Sequence, residues 1–272
     1  MNSEKSHRLR LQIAYNGTGY HGWQIQPTAP TVEGELTRAV TKILNAPEPI
    51  KVQGASRTDS GVHALGQVAH FSHQSNRKPW DFVRGLNALT DDRITVLRVE
   101  EAHPDFHARH SARGKIYRYR IWNHRFTHPF EGYRSWRVGL NLDLEAMQEA
   151  ASCLLGTHDF RGFRASDCEA ESTQRTLRRV EVQPMDSMLH IVVEGDSFLK
   201  YMVRILTGTL VDIGAGTLKV DAVNAVLATG DRRLGGQTAP ALGLTLEEVF
   251  YPDFPWAGSA PSLGGPYLAC VD

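Results

Sequence analysis

Cysteine is scarce in this sequence: Cys153, Cys168 and Cys270 are spread over 272 residues. An odd number of widely spaced thiols makes neither a disulfide framework nor a paired-cysteine zinc site, so reduced thiols in a reducing compartment are expected. Also missing is any run of the roughly 18 to 20 apolar residues that a membrane span requires. The leader Met1 to His7 is polar and lacks the apolar stretch of a secretory signal, which predicts no export and a cytoplasmic protein. No solenoid-type repeat is present. Net charge is absent as well, because 30 Lys and Arg balance 30 Asp and Glu.

That balance conceals an asymmetry. From His107 to Arg137 there are eight basic residues (Arg109, Arg113, Lys115, Arg118, Arg120, Arg125, Arg134, Arg137) against one acid, Glu131. Beyond Arg233 there is no Lys or Arg, while Glu247, Glu248, Asp253 and Asp272 are acidic. A merely solvated face would mix signs, so the basic central third is expected to face phosphates. His70 and His73, and His107 and His110, stand three residues apart, but no acidic or thiol ligand accompanies either pair. They are expected at an interface or against RNA, not around a metal.

An apolar content of 41% supports a substantial core, and the length exceeds the usual single domain. Two lobes are expected, 1–125 and 126–272. Arg8 to Ala14 alternates as a half-buried strand. Thr31 caps a helix carrying Val32, Leu36, Val40, Ile43 and Leu44 on one face, ended by Pro47. Ile50 and Val52 make a short strand, Val68 to Phe71 another, Pro79 to Leu89 a helix, and Ile94 to Val99 a further strand. In the second half a helix from about Leu144 stops at Gly156, and Pro184 to Ser187 turns a hairpin. Phe198 to Gly208 is expected as a helix, followed by a short one around Ala222 to Ala228. Ala239 to Leu246 alternates, and the Gly-, Pro- and Ser-rich tail from Ala257 is expected to be loosely ordered. Irregular mixing of strands and helices predicts an α+β protein.

Gly17-Thr18-Gly19-Tyr20-His21-Gly22 satisfies the GxGxxG pattern. A dinucleotide loop must open a helix, however, and here the chain runs into Pro27 and Pro30, so no cofactor is expected.

The chemistry concentrates in Gly54-Ala55-Ser56-Arg57-Thr58-Asp59-Ser60-Gly61-Val62-His63-Ala64, a polar turn between apolar segments with one carboxylate and one cation. Taken alone, Asp59 caps a backbone amide in an Asx-turn. A second concentration is Gly114-Lys115-Ile116-Tyr117-Arg118-Tyr119-Arg120, where Tyr117 and Tyr119 face one way and Arg118 and Arg120 the other. Such a strand is either amphipathic, with its tyrosines in the core, or an interleaving of aromatics and cations that holds an unstacked base beside its phosphates. A third is Arg204, next to the apolar stripe of Leu199, Val203, Leu206 and Leu210. Burying that charge would require a carboxylate partner, whereas snorkelling to water would not.

The Asp59 loop continued through Leu65-Gly66-Gln67-Val68 resembles the catalytic motif of the tRNA pseudouridine synthase A family. Tyr15 to Gln24, Gly114 to Tyr119, Phe198 to Arg204 and Ala239 to Leu246 are similar to its other motifs, in the same order, over about residues 8 to 252. Lys200 and Tyr201 depart from the family, which often has His there, and Ile205 stands where it often has Asn.

The resemblance implies two α/β lobes sharing a continuous, mainly antiparallel sheet with a central cleft. It implies isomerisation of uridine to pseudouridine in the anticodon arm of tRNA, at tRNA positions 38 to 40, by a homodimer without cofactor or metal. Asp59 would be the nucleophile, Arg204 its counter-ion and Tyr117 the residue stacked on the target uracil. Arg57, Leu244, Arg118, Arg120 and Lys115 would bind substrate. A non-catalytic RNA-binding module would use the same basic strand but need neither Asp59 nor Arg204. A hydrolase using Asp59 would need a second acid or a metal, for which no partner is evident.

Overall fold

The computed structural model describes residues 6–257. Most of the leader, the tail beyond residue 257 and Cys270 lie outside them. In chain order the elements are β1 (His7–Tyr15), α1 (Val32–Leu44), β2 (Gln53–Gly54), β3 (His63–His73), α2 (Pro79–Leu89), β4 (Ile94–Glu101), β5 (Gly114–Trp122) and β6 (Trp136–Arg137). There follow α3 (Leu144–Ser152), β7 (Gly156–Asp159), β8 (Gln174–Met185), β9 (Met188–Gly195), α4 (Met202–Gly214), α5 (Ala222–Thr229) and β10 (Leu244–Phe250).

One sheet runs β4-β1-β3-β10-β5-β9-β8-β7, with β2 added on β3 and β6 on β5. Its pairings are antiparallel except β10 with β3 and β5 with β6. The fold is thus α+β with a continuous, mainly antiparallel sheet. The last strand in sequence lies at its centre, bonded to β3 through Thr245 and His63 and to β5 through Leu244 and Tyr119. Segments far apart in the chain therefore meet along β10.

Local signals explain most boundaries. The Thr31 hydroxyl accepts from the Gly34 amide, and Asp143 accepts from Ala146, each satisfying an otherwise orphaned donor at a helix start. Pro79 opens α2, where its missing N–H costs nothing. Helix α1 ends at Leu44, where Asn45 takes the left-handed conformation two residues before the proline expected to stop it. Ile50 and Val52 form no strand, because their amides are taken by the Thr41 and Thr37 hydroxyls of α1. Helix α4 begins at Met202, four residues later than the pattern suggests, because Tyr201 sits at φ 63 and ends the preceding turn.

Leu9, Leu11 and Ile13 of β1 are buried on one face of the sheet. On the other, Arg10 is buried as well: its guanidinium donates to the carbonyls of Phe254 and Pro255 and lies 4.1 Å from the Trp256 ring centroid. Residues 251–257 thus strap the polar side of β1. No helix among the described residues is long and apolar enough to cross a membrane.

Candidate active site

The glycine-rich segment after β1 has a structural task. Trp23 N–H donates to the Thr58 carbonyl at 3.1 Å, Gly61 N–H to the Tyr20 carbonyl at 3.2 Å, and Gly17 N–H to His63 Nδ1 at 3.1 Å. A Cβ on Gly22, at φ 88, would lie 2.6 Å from the Thr58 carbonyl oxygen, and one on Gly17 would lie 2.1 Å from that of Val62. Only glycine allows so close an approach. Residues 17–22 bracket the Asp59 loop.

A second brace comes from Gln67, fully buried on β3. Its Oε1 accepts from the Ser56 and Val68 amides, both at 3.2 Å, and its Nε2 donates to the Ser56 carbonyl at 2.7 Å and the Tyr15 hydroxyl at 3.4 Å. Tyr15 in turn bonds the Thr58 hydroxyl at 2.8 Å. His63 completes the frame: with Nδ1 accepting from Gly17, its Nε2–H donates to the Leu242 carbonyl at 3.0 Å. Neutral imidazole is required, and burial lowers the His63 pKa accordingly. Gln67 and His63 belong to the same loop motif, but no local pattern in the sequence assigns them these roles. What distinguishes Gln67 is a polar side chain inside an otherwise apolar strand.

On this frame Asp59 reaches Arg204 of α4. Arg204 Nη1 stands 3.3 Å from Asp59 Oδ2, with only 14% and 17% of the two side chains exposed. Arg204 Nε donates to the Ala239 carbonyl at 2.8 Å, and its guanidinium carbon lies 4.5 Å from the Tyr201 ring centroid. Burial raises the Asp59 pKa above 3.8, while the charges of Arg204 and Lys200 pull against that rise. The arginine moderates the cost of desolvation without cancelling it.

Tyr117 shares a hydrogen bond of 2.8 Å with the Ser56 hydroxyl and meets the Phe198 ring edge-on at 5.1 Å. Burial and the nearby Asp59 charge raise its pKa, so it is a neutral phenol and a donor. Only 6% of the residue is exposed, which leaves little of the ring open for stacking. Leu244 is buried at the start of β10, beside Tyr119.

The cations distribute differently from the expected basic face. Arg57 is exposed on the loop and makes no hydrogen bond or ion pair among the described residues. Arg118 and Arg120 do point away from Tyr117, but not into open solvent. Arg118 forks onto Glu247 at 2.5 and 3.1 Å and also bonds His190 and Gln183. Arg120 is partly buried, and its pKa is lowered by burial and by Arg134. Lys115 is partly buried too, and burial, with Arg109 and Arg175 adding to it, lowers its pKa to about 8. Arg118 is thus tied to Glu247, His190 and Gln183, and Arg120 is partly withdrawn from water, so neither is the freely solvated cation that an open phosphate-facing surface would present.

A family model described as tRNA pseudouridine synthase matches residues 12–111 and 150–252. A tRNA pseudouridine synthase A of Acetivibrio thermocellus is 43% identical over 89% of this chain and 99% of that protein. One of Myxococcus xanthus is 44% identical over 91% of this chain and 93% of that protein. The chain belongs to the tRNA pseudouridine synthase family. Asp59, Arg204 and Leu244 fall inside the matched segments of that family model, and β5 with Tyr117 falls between them. A solved Cbf5-Nop10-Gar1 complex matches at 12% identity and a TM-score of 0.33, over 88% of this chain and 48% of that one, too loosely to bear on the site. Family membership makes the chain an isomerase.

Proposed function

We propose that this pseudouridine synthase isomerises uridine in the anticodon stem-loop of tRNA, with Asp59 as its nucleophile. The observation that carries the reading is the pairing of Asp59 with Arg204 across 145 residues of chain, on a loop braced from three sides. The reaction breaks the bond between ribose C1′ and uracil N1, turns the base, forms a bond from C1′ to C5, and releases the C5 proton while N1 takes one up, so no atom is gained or lost. Asp59 enters at uracil C6 or ribose C1′, or as the base that forms a glycal. Each route needs an ionised carboxylate, which Arg204 favours.

The target base must leave its stack at a cost of a few kcal/mol. Arg57, exposed beside Asp59, is positioned to hold a phosphate of the extruded nucleotide. Leu244 and Tyr117, both buried, form the apolar backing of the site, with the Tyr117 phenol hydrogen-bonded to Ser56. Exposed Phe126, Phe130, Tyr133 and Leu140 favour a homodimer in which a second copy covers them. A tRNA substrate supports a cytoplasmic location.

A tRNA transcript incubated with the protein, labelled with a pseudouridine-specific carbodiimide and read by reverse-transcription stops tests this reading. The wild-type chain gives a stop in the anticodon arm and Asp59→Ala gives none. Turnover by purified Asp59→Ala would remove the nucleophile.

A further inference from the structure

Tyr201 stands at φ 63 and ψ 2, a left-handed backbone that bulky residues rarely adopt. Such a conformation persists where the surroundings enforce it, and it clusters at functional sites. Here it accompanies a ring set between two cations, with the Arg204 guanidinium carbon 4.5 Å and Lys200 Nζ 5.5 Å from its centroid. Lys200 is itself tied to Asp167 at 2.6 Å.

Arg204 needs such support. Its contact with Asp59, at 3.3 Å, is long for a charge-assisted hydrogen bond, which is normally about 2.7 to 2.9 Å. Its other hydrogen bond, from Nε to the Ala239 carbonyl, acts at the edge of the guanidinium plane. With the Asp59 contact this long, the plane is free to swing about the shorter Nε bond to Ala239. An aromatic face lying on the guanidinium removes that freedom.

We propose that Tyr201 is a positioning residue for the reaction, its ring fixing the guanidinium plane that presents Nη1 to Asp59. The inference rests on the functional reading of the Asp59 and Arg204 pair. The ring acts through Arg204 and is assigned no contact with substrate.

Three variants separate ring from backbone. Tyr201→Ala and Tyr201→Gly both remove the ring, and each is expected to lower kcat by about 100-fold, the cost typical of a small misplacement, with KM changed less than about twofold. Tyr201→Phe keeps the ring and restores kcat to within about twofold of wild type. Glycine relieves the left-handed strain, so Tyr201→Gly melts no lower than Tyr201→Ala although both are slow. A purely structural role would instead make activity follow melting temperature.

A readout independent of turnover is the Arg204 Nη1 signal in nitrogen-15 NMR, since Nη1 is the group that meets Asp59. It is expected to be protected from exchange in wild type and Tyr201→Phe, and unprotected in the other two. Protection retained in Tyr201→Ala, or near-wild-type kcat in that variant, overturns the inference. A wild-type protein that converts no uridine would instead overturn the functional reading, while the NMR comparison still decides what the ring does.

Discussion

Arg118 of β5 and Glu247 of β10 form a forked ion pair, 2.5 and 3.1 Å, on the face of the sheet opposite Tyr117. Only 11% and 20% of the two side chains are exposed, so both charges are largely withdrawn from water. A cation already neutralised releases no counterions on binding nucleic acid. Arg118→Ala should therefore leave the salt dependence of tRNA binding unchanged in filter binding. It should also lower stability by about 3 kcal/mol or more in denaturant titration, because Glu247 is left unpaired. Arg57→Ala should do the reverse, reducing the slope of log K against log salt by about 1 with little effect on melting.

The contrast between these arginines marks what could be read from the chain. Alternation along β5 correctly separates Arg118 from Tyr117, since a period of two is local. Glu247, 129 residues away, meets Arg118 only because β10 inserts beside β5, and no local pattern encodes that insertion. Helix α2 and the Thr31 cap were legible for the same reason that β5 was: their signals lie within a few residues. The left-handed Tyr201 was not, because intrinsic propensity disfavours it and tertiary contacts impose it. The Asp59 and Arg204 pairing was suggested by resemblance of two motifs, whereas periodicity alone left Arg204 free to snorkel.

Activity should fall at acid pH as Asp59 takes up a proton. Burial raises its pKa above 3.8, so the acidic limb of kcat/KM is expected above the range of a solvated aspartate. Arg204 opposes that rise. Arg204→Gln should consequently move the limb to still higher pH and lower the plateau, as measured by tRNA turnover from pH 4 to 8. A limb that moved down or stayed put would mean that Arg204 does not set the ionisation of Asp59.

Several buried histidines should make the fold acid-sensitive. His70 Nδ1 accepts from the Ala108 amide, and burial pulls its pKa to about 4; His190, accepting from Arg118, is likewise pulled to about 4. A histidine whose folded pKa lies below its unfolded value of about 6.5 binds more protons when unfolded. Its stabilising contribution is complete above 6.5 and is lost as pH falls toward 4. Calorimetric melting temperatures should decline through that window. His70→Asn, which keeps an acceptor for Ala108 without titrating, should flatten the decline.

Gln67 should prove as important to turnover as to stability. Its amide is matched to the Ser56 backbone, accepting from the N–H at 3.2 Å and donating to the carbonyl at 2.7 Å, so it holds the loop three residues before Asp59. Methionine is nearly isosteric but can do neither, and Gln67→Met strands both Ser56 groups in a fully buried site. Each orphaned group costs about 1 to 3 kcal/mol unless the loop moves to find water. Moving the loop relieves that cost but displaces Asp59 from Arg204, so stability and catalysis cannot both be preserved. The expected result is a lower melting temperature together with a slower single-turnover rate at saturating enzyme. Gln67→Glu should be worse at neutral pH than Gln67→Met, because an ionised carboxylate faces the Ser56 carbonyl with no proton to donate. Full single-turnover activity in Gln67→Met would show that the bracket from residues 17–22 suffices to hold the loop.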